Sequence, residues 1–330
     1  MRNITKTQFL RILKTHPFES IPTIRHLERL LIEQRGYVIK MPKPGSEVVL
    51  LVSGGIDSIT TWAMLMEDHH YIVHPVCVNT EQKRHKQELL SVAYFSKLFQ
   101  KKYPKQYIAP FHINFPTNTP EISKALRGDL RKSIHPQLLK EKYDPKTNTI
   151  PLTRQYLFTG FFPFPAALAA LFFDLNRHTH IRTIFNSVLP TDGTFTQGQT
   201  LTSMRSAMVS LCAFTNDYSW QVISRCFEKE TGFFLTKANL IRWADDHNIP
   251  ISKTYSCLRG LPLHCGTCPI CVHRKDQFKK ARVHDDTEYM AATPQTGFSK
   301  LIKKAKMKIK PILKRLHIKR KPYIYIKHYY

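Results

Sequence analysis

Short apolar runs alternate with helical patterns over residues 47–113, and this alternation constrains the fold more than any other feature of the sequence. Residues 47–52 (EVVLLV) predict a buried strand, and residues 71–78 and 107–113 predict two more. The segments between these runs predict helices. Consecutive parallel strands that are joined by helices form right-handed βαβ units. The sequence therefore predicts an α/β fold with a doubly wound parallel sheet.

The second half of the chain continues this alternation with weaker signals. Residues 183–189 predict a fourth strand, and residues 201–214 predict a further helix. Residues 236–247 (TKANLIRWADDH) predict an amphipathic helix that begins after Thr236. We predict Thr236 as its N-cap, because a threonine side chain can accept a hydrogen bond from the first helical turn.

One segment has about the length and the apolar character of a membrane span. Residues 156–173 carry no charge, but Pro163 and Pro165 interrupt them. A buried helix that crosses the back of a sheet has the same composition, so we expect no membrane span. Residues 1–18 also lack the continuous apolar core of a signal peptide. We therefore expect a cytoplasmic protein.

A glycine-containing loop, residues 53–58 (SGGIDS), follows the first predicted strand of the sheet and precedes a helix. Its two glycines permit a tight turn and a close approach of the backbone to a ligand. The amides that open the following helix then form an anion site. Asp57 can hold a magnesium ion that bridges phosphates. We predict a phosphate site here; a turn that needs glycine only for its geometry is the alternative.

Four of the seven cysteines lie within residues 257–271, with the spacing C-x7-C-x2-C-x2-C. Four thiolates on tight turns can bind one Zn2+ tetrahedrally, and such a closed site leaves no position for a reacting water. The other three cysteines have apolar neighbours, which is typical of buried thiols in a reducing compartment. We predict a structural zinc site, and buried or disulfide-bonded cysteines are the alternative. The predicted ligands are Cys257, Cys265, Cys268 and Cys271.

Several motifs together resemble the QueC family of 7-cyano-7-deazaguanine synthases, in the order in which that family has them. The SGGIDS loop resembles the PP-loop of the ATP-pyrophosphatase superfamily, to which that family belongs. The resemblance implies the adenine-nucleotide α-hydrolase type of sheet. The other motifs are RHKQEL at residues 84–89, TK at 236–237, TYSCLRG at 254–260, HCGTCPICVHRKDQF at 264–278 and DDTEY at 285–289.

The resemblance implies an ATP-dependent ligase that uses ATP, Mg2+ and Zn2+. In this reaction the carboxylate of 7-carboxy-7-deazaguanine attacks the α-phosphate of ATP, and pyrophosphate leaves onto the PP-loop. A nitrogen nucleophile then attacks the acyl-adenylate to form an amide, which a second ATP dehydrates to a nitrile. The resemblance implies Asp57 and Ser58 as catalytic residues, and both also belong to the ATP-binding loop. The implied ATP-binding residues are Val52, Ser53, Gly54, Gly55, Ile56, Asp57 and Ser58.

The resemblance also implies a substrate site beside the PP-loop. Arg84 and Glu88 stand four residues apart on a predicted helix beyond a strand's carboxyl end, where ligands of parallel sheets bind. An exposed ion pair is the alternative for these two residues. The sequence departs from the family pattern around Arg154 and Asp192, which leaves the acceptor less constrained than ATP activation. The implied substrate-binding residues are Arg84, His85, Glu88, Arg154, Asp192 and Lys237.

The chain is strongly basic, with a formal net charge of +26. Residues 300–330 carry twelve Lys or Arg and no Asp or Glu. The candidate partners of this tail are nucleic acid, a partner protein or an anionic membrane surface, and a solvated tail is the alternative. We also expect a homodimer.

These observations divide the chain into three regions: a basic helical extension (1–46), a QueC-like PP-loop domain (47–290) and a basic tail (291–330). Two other functions remain open beside the synthase. A QueC-like antiviral-defence enzyme would couple the activated base to an amine of a partner protein, which the long basic extensions favour. A protein that binds ATP or nucleic acid without turnover is the other, and the intact SGGIDS loop argues against it.

Overall fold

The computed structural model of the protein describes residues 5–79, 83–114, 162–194 and 198–290, without the side chains of residues 193 and 194. The chain divides into two units, Met1–Tyr289 and Met290–Tyr330, and all described residues except Met290 belong to the first. Arg154 and the basic tail lie outside the described residues.

A parallel sheet with the strand order β3-β2-β1-β4-β5 lies at the centre of the described fold. All four pairings between neighbouring strands are parallel. In the central strand, Val49 lies opposite His74 of β2 on one side and Ile184 of β4 on the other. The predicted doubly wound parallel sheet is thereby confirmed. The strands are β1 (Glu47–Leu51), β2 (Ile72–Asn79), β3 (Phe111–Asn114), β4 (Thr183–Asn186) and β5 (Gln221–Ser224).

Helices cover both faces of the sheet, and a hydrophobic core lies between the sheet and the helices on each face. Strand β1 contributes to both cores, because successive side chains of a strand point to opposite faces. Val48 and Leu50 belong to one core, and Val49 belongs to the other. The first core is closed by α3 (Ile56–Glu67), α4 (His85–Lys102), α7 (Lys237–Asp246) and α8 (Pro269–Ala281). The second core is closed by α1 (Lys6–Leu13), α2 (Ile21–Arg35), α5 (Pro163–Arg177) and α6 (Leu201–Thr215).

The structure differs from the sequence prediction mainly at element ends. The third strand begins at Phe111 rather than at residue 107, because Tyr107 makes only an isolated bridge with Val73. The fourth strand ends at Asn186, and a short 3-10 turn (Pro190–Thr194) follows it. Strand β5 has only four residues, which is too short for a clear periodic signal.

Two further predictions concern helices. The side chain of Thr236 caps α7 as predicted, since its Oγ1 accepts a hydrogen bond from the amide of Asn239 at 3.3 Å. Helix α8 was not predicted, because its first turn lies inside the cysteine cluster, with Cys268 as N-cap and Pro269 as first residue. Within the part of the chain that the structure describes, no helix is long and apolar enough to cross a membrane.

The N-terminal helices α1 and α2 pack into the second core and are joined to it by buried charges. The guanidinium of Arg205 in α6 donates from Nε to Glu28 of α2 at 3.1 Å. Its two other nitrogens donate to the carboxylate of Glu228, each at 3.1 Å. All three residues are buried, and charges in such a place are tolerated when they are paired and hydrogen-bonded. This network therefore ties the N-terminal segment to the rest of the unit.

Replacing Arg205 with Met should lower the free energy of unfolding by ~3–5 kcal/mol, because Glu28 and Glu228 would keep buried charges without their common partner. Lys6→Met is the matched control: Lys6 also pairs with Glu28, but its side chain is 58% exposed, so the loss should stay below ~1 kcal/mol. Urea unfolding measures both values. Equal losses in the two variants would show that the buried network does not hold the N-terminal helices.

Candidate active site and metal centre

The predicted phosphate loop lies where the strand order of the sheet reverses. From β1 the chain continues outward to β2 and β3 on one side, and β4 and β5 lie on the other side. Ligands of open α/β sheets bind in the crevice that this reversal creates at the carboxyl ends of the strands. Residues 53–58 follow β1 at this edge, and residues 187–194 follow β4 there.

The backbone of Gly54 is held between two neighbouring elements. Its φ angle of +76° lies in the left-handed region, and a Cβ at this position would lie 2.6 Å from the carbonyl oxygen of Glu88. The carbonyl of Gly54 accepts hydrogen bonds from Ser91 Oγ of α4 and from the amide of Tyr255, both at 2.8 Å. The loop is therefore fixed against α4 on one side and the segment before the cysteines on the other, and only glycine fits.

The two serines of the loop form a small hydrogen-bonded cluster at the start of α3. Ser58 Oγ accepts from the amide of Ser53 at 3.1 Å and lies 3.3 Å from Ser53 Oγ. Ser58 is buried together with Val52 and Ile56, whereas Ser53 is exposed to the crevice. The N-cap of α3 is Gly55, which has no side chain to accept the first amides of the helix. Those amides and the positive end of the helix dipole suit an anion.

Three charged side chains from three separate elements act on one another beside this loop. Lys237 Nζ of α7 lies 2.8 Å from Asp57 Oδ2 of α3. Burial is the main cause that raises the pKa of Asp192 to about 6. The charge of Lys237 lowers this pKa, and the charge of Asp57 raises it. Burial alone would lower the pKa of Lys237, but Asp57 and Asp192 outweigh it and the pKa is raised. Lys237 is therefore charged at neutral pH, between two carboxyl groups.

The other carboxylate oxygen of Asp57 is a candidate ligand for the predicted magnesium ion. Asp57 Oδ1 is buried and has no hydrogen-bond partner among the described residues. A carboxylate oxygen in this state is a suitable ligand for a hard cation such as Mg2+. The residues at this position therefore fit the ion that the sequence analysis assigned to Asp57.

The predicted substrate residues at the start of α4 lie beside the loop, because the backbone of Glu88 is the group that Gly54 approaches. Arg84 is the N-cap of α4 and His85 its first residue. Arg84 Nε lies 2.7 Å from Glu88 Oε1, and the Glu88 side chain is only 6% exposed. An i,i+4 ion pair is therefore present, but it is not the exposed surface pair that was the alternative to ligand binding, because Glu88 is buried.

The structure adds residues to the site that the sequence showed only as members of a motif. The charges of Lys237 and Asp57 both act on His273 of α8. Burial, with the charge of Lys237, lowers the pKa of His273 to about 4, so the ring is neutral at pH 7. Tyr255 contributes its amide to the loop. Both residues stand in the strings that surround the cysteines, but no residue-type rule separates them from their neighbours.

The structure brings the four predicted metal ligands together. All four cysteines are buried, and their sulfur atoms lie within 4.8 Å of one another. Four sulfurs about 2.3 Å from one Zn2+ would be separated by ~3.8 Å, and the sulfurs of Cys265 and Cys271 are 3.9 Å apart. The donor set therefore fits one tetrahedral ion bound by thiolates.

The cysteine-bearing segment packs directly on the start of α4. Gly260 has a φ angle of +65°, and a Cβ there would lie 2.3 Å from the carbonyl oxygen of Lys83. Behind it, the buried guanidinium of Arg274 donates to Thr254 Oγ1 at 2.9 Å and to Thr287 Oγ1 at 3.0 Å. The cysteine-bearing segment thus packs against the elements that surround the phosphate loop, and none of the four cysteines belongs to the loop.

Gly260→Ala should destabilise the protein more than Gly36→Ala does. Both glycines have positive φ angles, but nothing lies within 4 Å of a Cβ at Gly36, so that variant carries only the conformational cost of about 1–2 kcal/mol. Gly260→Ala adds overpacking against backbone, and we expect a further loss of ~1–3 kcal/mol. Thermal unfolding compares the two variants, and similar losses would argue against close packing of the cysteine segment on α4.

Comparison with known proteins gives matches that centre on this segment. Residues 227–282 match the family model described as queuosine biosynthesis protein QueC. A 7-cyano-7-deazaguanine synthase from Ruegeria sp. is 43% identical over 54 residues, which is 16% of this chain and 23% of that protein. The same enzyme from Rhizobium etli is 42% identical over 55 residues, or 17% of this chain and 23% of that protein. The chain thus matches about a quarter of the length of these relatives.

Among solved structures, the U34-tRNA thiolase NcsA from Methanococcus maripaludis, with its [4Fe-4S] cluster, is 11% identical. The match covers 92% of this chain and 82% of that one, but at a TM-score of 0.32 it carries no argument. The sequence matches are informative about the candidate site, since Lys237, Tyr255 and His273 all lie within the family match. The resemblance to the QueC family that the motifs predict is therefore confirmed over residues 227–282, the segment that contains the four cysteines.

Proposed function

We propose that this protein activates a carboxylate with ATP, releases pyrophosphate and transfers the activated acyl group to a nitrogen nucleophile. One observation carries the proposal. The phosphate loop after β1 is paired, through Asp57 and Lys237, with a helix that lies inside the QueC match. The loop and the QueC-like segment therefore form one site. The names of the matched relatives support 7-carboxy-7-deazaguanine as the substrate.

The loop supplies what a departing pyrophosphate needs. The first amides of α3 and the hydroxyls of Ser53 and Ser58 are donors at the crevice edge, and charge that develops on the leaving group would be stabilised there. Lys237 adds a fixed positive charge beside them. These donors and the lysine are held in place before the substrate arrives, so the protein needs only to position the substrates and to stabilise the charge on the leaving group. We assign no protein nucleophile to the reaction.

Asp57 and Asp192 would hold the magnesium ion that accompanies ATP. The two carboxyl groups and Lys237 together leave one net negative charge when all are ionised, which a divalent cation would compensate. When bound, Mg2+ neutralises phosphate charge and orients the leaving group.

The start of α4 is the proposed base and carboxylate subsite. A guanidinium such as that of Arg84 suits a carboxylate or a phosphate, and a buried carboxylate such as that of Glu88 suits the donor edge of a guanine-like base. His85 stands beside them. The proposed acceptor is ammonia, as the resemblance to the QueC family implies. The experiment below also tests an amine of a partner protein as acceptor.

Asp57→Asn and Lys237→Met should each lower base-dependent release of AMP and pyrophosphate at least ~100-fold, because each removes one charge of the pair that faces the phosphates. The assay contains ATP, Mg2+ and the carboxylate base, with ammonia or a candidate protein amine, and mass spectrometry identifies the products. Asp246→Asn is the matched control, since Asp246 is exposed at the end of the same helix and should keep full activity.

Two results would contradict the proposal. Release of ADP and phosphate in the first step would remove the pyrophosphate assignment of the loop. ATP binding without turnover, in protein that retains its metal, would favour the non-catalytic function instead.

We propose a single zinc ion for the four-cysteine centre, with a structural role. Metal analysis should find about one zinc per chain, and Cys268→Ala should lose both the metal and several degrees in the midpoint of thermal unfolding. Cys226→Ala is the matched control, because this cysteine is equally buried but lies outside the sulfur cluster, so the zinc content should not change. Iron and sulfide in place of zinc, or a metal-free protein of equal stability, would contradict the proposal.

A further inference from the structure

Helix α4 carries an exposed basic and aromatic face that the proposed reaction does not use. At about 100° per residue its members fall within one sector of about 80°, and they extend over ~22 Å of the helix. We call these residues the α4 face. They are Lys86, Leu90, Tyr94, Lys97 and Lys101, and all are exposed.

The charge of the α4 face has one sign. The single acidic residue of α4 is Glu88, which is buried and paired with Arg84, so it does not offset the lysines. Lys102, which lies outside the sector, instead donates a hydrogen bond to the carbonyl of His247 at 2.7 Å. A row of uncompensated cations on one side of a helix attracts a polyanion.

The centre of the α4 face is apolar. Tyr94 is 43% exposed and Leu90 is 57% exposed, although both lie between lysines. The ring of Phe95 meets that of Tyr94 at an interplanar angle of 81°, with 5.2 Å between centroids. This edge contact leaves a face of the Tyr94 ring free for stacking. Two apolar side chains provide too little area to insert into a membrane interface.

We infer that the α4 face binds single-stranded nucleic acid, with phosphates on the lysines and a base stacked on Tyr94. Proteins that bind single strands without sequence preference combine a cationic track with aromatic side chains on which bases stack. An acidic protein would satisfy the lysines, but it would not require an accessible aromatic ring between them.

The cationic track continues toward the active site. Lys83 precedes α4 and is exposed, and the exposed Arg259 stands next to Gly260, whose backbone packs on that of Lys83. A strand on the α4 face would therefore run toward the helix end that borders the phosphate loop. This inference concerns binding alone and does not depend on the proposed reaction.

The test measures binding of a fluorescein-labelled 20-nucleotide oligouridylate to the full chain by anisotropy, without ATP or base. The test variant carries Lys86→Glu, Lys97→Glu and Lys101→Glu. The control variant carries Lys14→Glu, Arg25→Glu and Arg29→Glu, which are exposed at the end of α1 and on α2 and change the net charge equally. We expect Kd to rise more than ~10-fold in the first and less than ~3-fold in the second at 0.15 M salt.

Two further measurements test whether base stacking and specific phosphate contacts, rather than the overall positive charge of the chain, account for binding. Tyr94→Ala should raise Kd at least ~5-fold while Tyr94→Phe leaves it unchanged, because phenylalanine retains the stacking face. The slope of log K against log salt should fall by about 2 in the lysine variant, since each single-strand phosphate contact contributes about 0.7. Equal losses in the two triple variants, an unaffected Tyr94→Ala, or no binding by the wild type would each overturn the inference. Unchanged thermal unfolding of each variant is the fold control.

Discussion

The carbonyl of Gly54 is the point on which the arrangement of the site depends. It accepts one hydrogen bond from Ser91 of α4 and one from the amide of Tyr255, so a single backbone group joins three segments that are distant in sequence. A buried carbonyl has two lone pairs, and both are used here. Neither partner can shift without leaving a buried polar group unsatisfied, which costs ~1–3 kcal/mol. The positions of α4 and of the cysteine-bearing segment relative to the loop follow from this requirement.

The electrostatics of the site also depend on contacts between segments that are distant in sequence. Asp57, Asp192 and Lys237 come from α3, from the turn after β4 and from α7, and none is a sequence neighbour of another. Burial is the first cause of the raised pKa of Asp192, and partial burial strengthens the effects of these charges on one another. The four cysteines contribute indirectly, since they pack with Tyr255 in one buried cluster and Cys268 caps α8.

Much of this could be predicted from local sequence, and the reasons are specific. The parallel sheet follows from apolar runs that alternate with helical patterns, and the loop follows from two glycines between a strand and a helix. The four sulfurs were predictable because their spacing confines them to adjacent turns. Asp192 and Lys237 entered the prediction through a family resemblance, because no local rule indicates that a turn after β4 meets the start of α7. His273 was missed for the same reason: its position depends on how α8 packs.

The predictions were weaker where structure depends on long-range packing. Strand β5 is fixed by its pairing with β4, since its four residues carry little periodic information of their own. Residues 1–46 predict helices, but the place of α1 and α2 in the second core could not be derived from them, because their partners lie far along the chain. The role of Arg154 stays a prediction, since this residue lies outside the described residues.

The long-range contacts of the N-terminal helices also have a consequence for biosynthesis. Phe9 stacks on Phe233 with 5.0 Å between ring centroids, and Glu28 is separated by 177 residues from Arg205. At synthesis rates of about 5–20 residues per second, the ribosome needs roughly 10–40 s to produce these partners after the helices have emerged. During that time the apolar stripe that contains Phe9, Leu13 and Ile24 lacks the partners that α6 and Phe233 provide in the folded protein. Helices α1 and α2 are thus buried only after partners far along the chain have been made, and until then their apolar stripe offers a binding surface to a chaperone.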